Sequence, residues 1–336
     1  MNKEILNQIA TKMVSDSKGI LAIDESHGTC KKRFDTLKIA VNEENRRSYR
    51  DMLVSAESLA KYISGAILFD ETIRQKTNDG STFPEFLNNI GIMPGIKVDA
   101  GAKDFSCHAN EKITEGLDNL SQRMEDYKSL GAKFAKWRAV ITIGDRIPSL
   151  ACMVANSHAL ARYASICQEV DIVPIVEPEV LMDGPHDIEK CFEVTNEMQS
   201  TLFEELDKLN IVNSGIILKP NMITPGSTCQ DKAVAEKIAE FTVRCLGNNV
   251  PKDVPGIAFL SGGQSDQDAS NNLNFINKIN DNPWKLTFSY GRALQLEAMK
   301  KWQGNNNNKE EAQKILSKRA YLNSLAASGN YDLEME

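Results

Sequence analysis

The sequence predicts a (β/α)8 barrel, because short β-rich segments alternate with helical patterns along the whole chain. The segments begin roughly 30 to 45 residues apart, the spacing of parallel strands joined by crossover helices. Charged side chains gather at the carboxyl ends of these segments, where barrel enzymes carry their chemistry. A doubly wound open sheet is the second choice. No linker divides the chain, so residues 1–336 are predicted to form a single domain.

Each predicted strand is a short apolar run that ends in a polar residue or a turn signal. The eight strands are residues 19–24, 65–70, 93–98, 134–140, 173–179, 215–219, 256–261 and 285–291. Helical periodicity fills most of the intervals, and its longest stretches are residues 42–62, 116–130, 149–169, 186–209 and 231–246.

The two ends of the chain add further elements. Residues 1–10 space their apolar side chains as an amphipathic helix and lack the apolar run of a secretory signal. The asparagine tract 305–308 is predicted to form an exposed turn between helices, and a short tail begins at about residue 329.

Composition excludes several classes of partner. With 41% hydrophobic residues the chain can bury a large core, and a net charge of −7 disfavours nucleic acid and anionic membrane surfaces. The seven cysteines form no CxxC pair and are expected to be reduced thiols in the core of a cytoplasmic protein. No apolar run reaches the length of a transmembrane helix.

One lysine, Lys219, ends a purely apolar strand and is followed by Pro220. A buried ammonium is costly to desolvate, so part of such a side chain is the free amine at neutral pH. That amine can attack a ketone and form an iminium, which lets an adjacent carbon–carbon bond break or form. Taken alone, the pattern is also typical of a strand-end lysine that extends to solvent.

The other predicted strands favour the catalytic interpretation. Lys136 and Arg138 are two residues apart on one strand, as are Glu177 and Glu179 on the next, so each pair points to one face of its strand. Cations and carboxylates are therefore expected to meet at one mouth of the barrel. The polar residues that lie in a predicted strand or at its carboxyl end are Asp24, Lys97, Lys136, Arg138, Glu177, Glu179, Lys219, Ser261 and Ser289.

Two loops after the last two strands are suited to phosphate. The Ser261-Gly262-Gly263-Gln264-Ser265 loop offers backbone N–H groups ahead of a helix whose positive dipole end favours an anion. In the next loop Gly291 precedes Arg292, whose guanidinium can bind phosphate in bidentate fashion. Barrels often bind phosphate after strands seven and eight.

These residues lie in motifs through which the chain closely resembles class I fructose-1,6-bisphosphate aldolases, the metal-independent Schiff-base type. The motifs are GILAIDES at 19–26, PGIKVD at 94–99, FAKWR at 134–138, VPIVEPE at 173–179, LKPNM at 218–222, SGGQS at 261–265 and FSYGRAL at 288–294. The resemblance runs from residue 19 to residue 328. It implies reversible cleavage of fructose 1,6-bisphosphate to dihydroxyacetone phosphate and glyceraldehyde 3-phosphate, with no cofactor and no metal.

The resemblance also implies roles for individual residues. Lys219 corresponds to the Schiff-base lysine, and Glu177 corresponds to the proton shuttle that forms and dehydrates the carbinolamine. Asp24 would act on the C4 hydroxyl of the substrate during cleavage. Lys136 and Glu179 would adjust the protonation of groups around the iminium. The phosphate on C1 is expected at Ser261, Gly262, Gly291 and Arg292, and Gly263 and Ser289 are also expected to bind substrate or phosphate. The C6-phosphate end is expected at Ser26, Thr29, Arg33, Lys97 and Arg138.

The same residues also fit other functions. A Schiff-base aldolase for tagatose or sedoheptulose bisphosphate fits the same lysine chemistry, since the distal pocket selects the sugar, and a scaffold that retains the barrel is a further alternative. The four histidines show no metal-ligand spacing. The chain lacks the longer tyrosine-ended tail of animal enzymes, so Tyr331 is assigned no role. A homotetramer is expected only because the family usually forms one.

Overall fold

The computed structural model describes all 336 residues, and its centre is a closed barrel of eight parallel strands. The barrel strands are β1 (Gly19–Ala22), β2 (Ile63–Leu68), β3 (Met93–Lys97), β6 (Phe134–Ile141), β7 (Val173–Val180), β8 (Ile217–Leu218), β9 (Gly256–Phe259) and β10 (Lys285–Tyr290). Around the barrel the strand order is β1-β10-β9-β8-β7-β6-β3-β2. Because β1 pairs with β10 as well as with β2, the sheet has no edge, and the open-sheet alternative is excluded.

Two short strands lie outside the barrel and pair with each other as an antiparallel hairpin. They are β4 (Ala102–Asp104) and β5 (Lys112–Thr114). The sequence gives no signal for this hairpin, because β4 is exposed and polar and shows no hydrophobic alternation.

Helices surround the barrel and follow its strands. They are α1 (Lys3–Met13), α2 (His27–Thr36), α3 (Glu43–Val54), α4 (Leu59–Tyr62), α5 (Asp70–Ile73), α6 (Phe83–Asn89), α7 (Leu120–Ser129), α8 (Leu150–Glu169), α9 (Ile188–Lys208), α10 (Ala235–Asn249), α11 (Asp266–Ile279), α12 (Arg292–Trp302) and α13 (Lys309–Ala327). The helix predicted over residues 42–62 is divided at Ser58, whose φ of 62° lies in the left-handed region and separates α3 from α4. None of these helices is long and apolar enough to cross a membrane.

The apolar core has two parts. A cluster of 78 buried residues fills the layer between the strands and the outer helices. A second cluster of 13 residues fills the barrel interior and includes Leu6, Ala10 and Met13 of α1, which therefore closes the amino end of the barrel. Interior packing is tight, since a Cβ on Gly95 would lie 2.2 Å from the Phe134 ring. The carboxyl end of the barrel is left open for a site.

The predicted (β/α)8 fold and all eight predicted strands are confirmed, with small shifts at the strand ends. β1 ends at Ala22, so Asp24 lies in the loop that follows it, and Lys219 follows β8 directly. The N-terminal helix extends three residues beyond its predicted end, and the 305–308 tract forms a short 3-10 turn. Six of the seven cysteines are buried, and Cys107 is exposed.

Candidate active site

A polar cavity of about 560 Å³ opens at the carboxyl ends of the barrel strands. Loops after β1, β3 and β10, together with residues of β6 and β7, supply most of its wall. Its polar lining residues are Asp24, Glu25, Ser26, Thr29, Arg33, Lys97, Asp99, Lys136, Arg138, Glu177, Glu179, Lys219, Ser261, Ser289 and Arg292. Gly262 and Gly291 complete the phosphate loops. The structure thus brings together every residue that the sequence analysis placed in the site except Gly263.

At the base of the cavity two lysines and two carboxylates form one ion-pair network. The Nζ of Lys219 lies 3.1 Å from Oε1 of Glu177, and the other Glu177 oxygen, Oε2, lies 3.5 Å from the Nζ of Lys136. Lys136 also donates to Oδ2 of Asp24 at 2.7 Å. Two positive and two negative charges balance in a region where Lys219, Lys136 and Glu177 are each no more than 5% exposed. Balanced pairing offsets the cost of burying these charges.

The network holds its carboxylates in the ionised state. Burial acts against the charge on Asp24, but the ammonium groups of Lys136 and Lys219 outweigh burial and lower the pKa of Asp24 to about 2. The same two lysines outweigh burial at Glu177 and lower its pKa below the ordinary value. Burial alone would lower the pKa of Lys136, yet the carboxylates of Asp24 and Glu177 raise it above its ordinary value. Lys136 is therefore a permanent cation beside Glu177.

Glu177 Oε2 is buried and has no hydrogen-bond partner within the protein. Such a group is expensive unless a ligand or water satisfies it. This oxygen is therefore available to exchange a proton with a molecule in the cavity.

Ion pairs farther up the wall fix the remaining charged side chains. Arg138 Nε donates to Glu179 Oε2, and this pairing keeps the pKa of Arg138 above its ordinary value against the effect of burial. Lys97 Nζ lies 3.4 Å from Oδ1 of Asp99. A Cβ on Gly262 would lie 2.7 Å from Oε1 of Glu179, so a side chain at this position would displace the carboxylate from its place beside the loop after β9.

The loop after β10 offers an open anion site. Gly291 precedes α12 and supplies no side-chain cap, so the amino end of this helix is free to meet a ligand. Arg292 is exposed at this end, and the nearby Ser289 hydroxyl is buried without a hydrogen-bond partner. Helix dipole, guanidinium and hydroxyl together suit a phosphate group.

The loop after β9 differs from the sequence expectation. The amino end of α11 is already capped, because the Ser265 hydroxyl accepts from the backbone N–H of Asp268, and the first turn also carries Asp266. Two acidic side chains there oppose an anion, so the helix that can favour phosphate is α12 rather than α11. Gly263 faces away from the cavity towards Met182 and serves the turn, with φ at 79°.

The distal end of the cavity lies at the amino end of α2. Ser26 caps this helix by accepting from the backbone N–H of Thr29, and Arg33 lies on the same face. Arg33 pairs with Glu25, which the sequence analysis did not single out although it follows Asp24 directly. Asp99 was also missed, although its position two residues after Lys97 could have indicated a shared face.

Tyr331 does not reach the cavity. Its side chain is buried, with only 3% exposed, and its hydroxyl donates to Glu336 Oε1 at 2.6 Å. Glu336 in turn pairs with Arg319 of α13, so this tyrosine belongs to the packing of the C-terminal segment.

A closed (β/α)8 barrel whose open end buries a lysine beside a carboxylate defines a barrel enzyme with its site at the carboxyl ends of the strands. The family model for class-I fructose-bisphosphate aldolase, a glycolytic enzyme, matches residues 5–336. The chain is 52% identical over 332 residues to the probable fructose-bisphosphate aldolase class 1 of Xanthomonas axonopodis pv. citri, covering 98% of this chain and 99% of that one. It is 48% identical over 330 residues to the fructose-bisphosphate aldolase of Plasmodium falciparum, covering 98% of this chain and 89% of that one.

A solved structure agrees with these relatives. The Plasmodium falciparum fructose-bisphosphate aldolase, crystallised with TRAP and a small-molecule inhibitor, superposes with a TM-score of 0.96 at 48% identity, over 98% of this chain and 96% of that one. The chain therefore belongs to the class-I fructose-bisphosphate aldolase family, and it cleaves fructose 1,6-bisphosphate reversibly through a lysine Schiff base.

Proposed function

We propose that Lys219 is the residue that forms the Schiff base and that Glu177 moves the protons that this step requires. The observation that carries the proposal is the 3.1 Å contact between Lys219 Nζ and Glu177 Oε1 inside a buried, charge-balanced network. A lysine can attack a ketone only as the free amine, and a carboxylate at this distance can take its proton.

Lys219 attacks C2 of the open-chain substrate and gives a carbinolamine. A proton delivered by Glu177 lets the hydroxyl leave as water, so an iminium forms between C2 and the lysine nitrogen. The neighbouring cation Lys136 keeps Glu177 from holding a proton in the resting enzyme, and the proton that it receives from the amine is thus readily passed on. The carboxylate returns to its charged state after each transfer.

Asp24 serves the cleavage step. Its carboxylate lies beside Lys136 in the same network and takes the proton of the C4 hydroxyl. The C3–C4 bond then breaks, its electron pair enters the iminium as an enamine, and glyceraldehyde 3-phosphate leaves as the aldehyde. Protonation at C3 and hydrolysis release dihydroxyacetone phosphate and restore Lys219. Glu179, paired with Arg138, adjusts the protonation of groups around the iminium.

The two phosphates bind at opposite ends of the cavity. The phosphate on C1, which both dihydroxyacetone phosphate and the bisphosphate carry, binds at Ser261, Gly262, Ser289, Gly291 and Arg292. The phosphate on C6 lies near the cluster at the amino end of α2 and on β3 and β6, which comprises Ser26, Thr29, Arg33, Lys97 and Arg138.

Reductive trapping tests the Schiff-base assignment. Dihydroxyacetone phosphate plus borohydride is expected to inactivate the enzyme and to leave one reduced adduct of triose-phosphate mass on the peptide that contains Lys219. A matched control is Lys136→Met, which removes the neighbouring ammonium and keeps the nucleophile, so the label is expected to remain on Lys219. A label on another lysine, or inactivation by borohydride without substrate, would contradict the assignment.

The remaining expectations concern the protein as a whole. We infer that the chain acts as one domain, that it works in the cytoplasm and that it assembles as a homotetramer. The single closed barrel supports the first inference, and family resemblance supports the other two. Light scattering at micromolar concentration measures the mass, and a monomer would contradict the tetramer.

A further inference from the structure

A buried amide, the side chain of Gln295, lies between the two phosphate ends of the cavity. Gln295 is in the first turn of α12, with its backbone N–H donating to the carbonyl of Gly291 at 3.1 Å, and its side chain is fully buried. A Cβ on Gly291 would lie 3.5 Å from Nε2 of Gln295. The amide therefore packs directly beneath Gly291, the residue that precedes Arg292 at the start of α12.

The Gln295 amide makes three hydrogen bonds, one through its NH2 group and two through its oxygen. Nε2 donates to the carbonyl of Ala22 at the end of β1. Oε1 accepts from the hydroxyl of Tyr49 and, at 3.5 Å, from Nη1 of Arg33. One side chain thus joins α12, the end of β1 and the distal guanidinium.

The orientation of the amide is determined by its partners. Burial raises the pKa of Tyr49 well above its ordinary value, so the hydroxyl stays protonated and donates. A guanidinium can only donate, and a backbone carbonyl can only accept. Turning the amide over would place its NH2 group against two donors and its oxygen against an acceptor.

The segment tied by Gln295 also carries Asp24. Arg50, fully buried, donates to the carbonyl of Ile23 at 3.2 Å and to that of Glu25 at 2.7 Å. Gln295 holds the preceding carbonyl, that of Ala22, so the loop after β1 is fixed from two helices. Because Arg33 also pairs with Glu25, its guanidinium is held between this loop and α12.

We propose that Gln295 is a positioning residue that sets the separation between Arg292 and Arg33 and thereby the preference for a bisphosphate over a monophosphate substrate. The proposal rests on the assignment of Arg292 to the C1 phosphate and of Arg33 to the C6 phosphate. Gln295 touches neither phosphate. It acts through the side chains and loops that do.

Steady-state kinetics with two substrates tests this role. Gln295→Met keeps the length of the side chain and removes its three hydrogen bonds, whereas Tyr49→Phe removes one. Gln295→Met is expected to raise KM for fructose 1,6-bisphosphate by about 5- to 30-fold, the effect of one or two hydrogen bonds, with a smaller rise for Tyr49→Phe. For fructose 1-phosphate, which lacks the C6 phosphate, KM is expected to rise less than about threefold, and kcat changes less than KM for either substrate.

A matched control is Tyr163→Phe. The hydroxyl of Tyr163 is equally buried and donates to the carbonyl of Ile175, on the outer side of the barrel away from the cavity. This variant is expected to keep the wild-type ratio of the two KM values. Thermal unfolding of all three variants measures any loss of stability. A purely structural role would raise KM for both substrates alike, whereas a positioning role raises KM more for the bisphosphate.

Arg33→Ala, alone and combined with Gln295→Met, tests the positioning role of Gln295 separately from the assignment of Arg33 to the C6 phosphate. If Arg33→Ala discriminates between the substrates and neither Gln295→Met nor Tyr49→Phe does, the positioning role is wrong and the phosphate assignment stands. If Arg33→Ala fails to discriminate, the assignment of Arg33 is wrong. When both are right, the second substitution adds little to the first, since both act on the same contact.

Discussion

Lys136 and Asp24 form the shortest ion pair of the buried network, with Nζ and Oδ2 2.7 Å apart. The two residues are 112 positions apart in the chain and meet because Asp24, which follows β1, and Lys136, within β6, both line the cavity at the open end of the barrel. The pair couples stability to function, because the ammonium that keeps Asp24 ionised also faces Glu177.

Replacing Asp24 is expected to change how stability depends on pH. The pKa of Asp24 falls from 3.8 to about 2 in the folded protein, so the unfolded chain binds more protons between these values and stability rises with pH through this window. The charge contributes about 2 kcal/mol above pH 4, and this contribution is lost as the pH falls towards 2.

Asp24→Asn is therefore expected to be less stable than wild type at pH 7, with a gap that narrows below pH 4. Urea unfolding at pH 7, 4 and 3 measures the gap. An equal gap at pH 7 and pH 3 would mean that folding does not lower the pKa of Asp24.

Glu177→Gln is expected to abolish proton transfer while the fold is kept. Loss of one general acid/base typically lowers the rate about 100- to 10,000-fold, and kcat should fall far more than KM rises. Turnover within about threefold of wild type, smaller than any general-acid contribution, would move the role to Glu179 or Asp24. Steady-state assays of purified variants decide between these outcomes.

Arg292→Ala is expected to weaken both fructose 1,6-bisphosphate and dihydroxyacetone phosphate, because both carry the phosphate that this guanidinium meets. Loss of one charge-assisted hydrogen bond costs roughly 1.5 to 3 kcal/mol, about a 10- to 150-fold loss of affinity. Arg162→Ala, an exposed arginine on α8, is the control and is expected to bind both ligands as wild type does. Calorimetry in which Arg292→Ala binds dihydroxyacetone phosphate normally would exclude this role.

Lys97→Ala is expected to weaken the bisphosphate much more than dihydroxyacetone phosphate. Lys97 pairs with Asp99, whose side chain is only 3% exposed, so the variant leaves a buried carboxylate facing the C6 phosphate. Lys97→Ala combined with Asp99→Asn should recover part of the loss, because the repulsion is removed. Equal losses for both ligands in the single variant would show that the division into two phosphate ends is mistaken.

Chelation is expected to leave the rate unchanged, since a Schiff-base mechanism withdraws electrons through an iminium rather than a metal ion. The measurement is turnover before and after prolonged dialysis against EDTA. A large loss that zinc restores would contradict this mechanism.

Local patterns in the sequence were sufficient to predict the barrel. Eight short apolar runs recur with helical patterns between them. Such runs indicate parallel strands joined by helices, because a strand that is buried on both faces is apolar along its whole length. The same reasoning placed Lys136, Glu177 and Lys219 at one mouth, because side-chain direction alternates strictly along a strand. The resemblance of the motifs then supplied the family, which the comparisons confirmed.

Pairing between side chains was decided only by the tertiary structure. The sequence did not reveal that Glu25 pairs with Arg33 or that Asp99 pairs with Lys97. It also did not reveal that the amino end of α11 is capped, so that the amino end of α12 is the one suited to phosphate. Gln295 gave no sequence signal at all, because its partners come from β1, α2 and α3. Periodicity reports which face of its own element a residue occupies, whereas an ion pair or hydrogen bond depends on the distance between atoms of different elements, which folding alone sets.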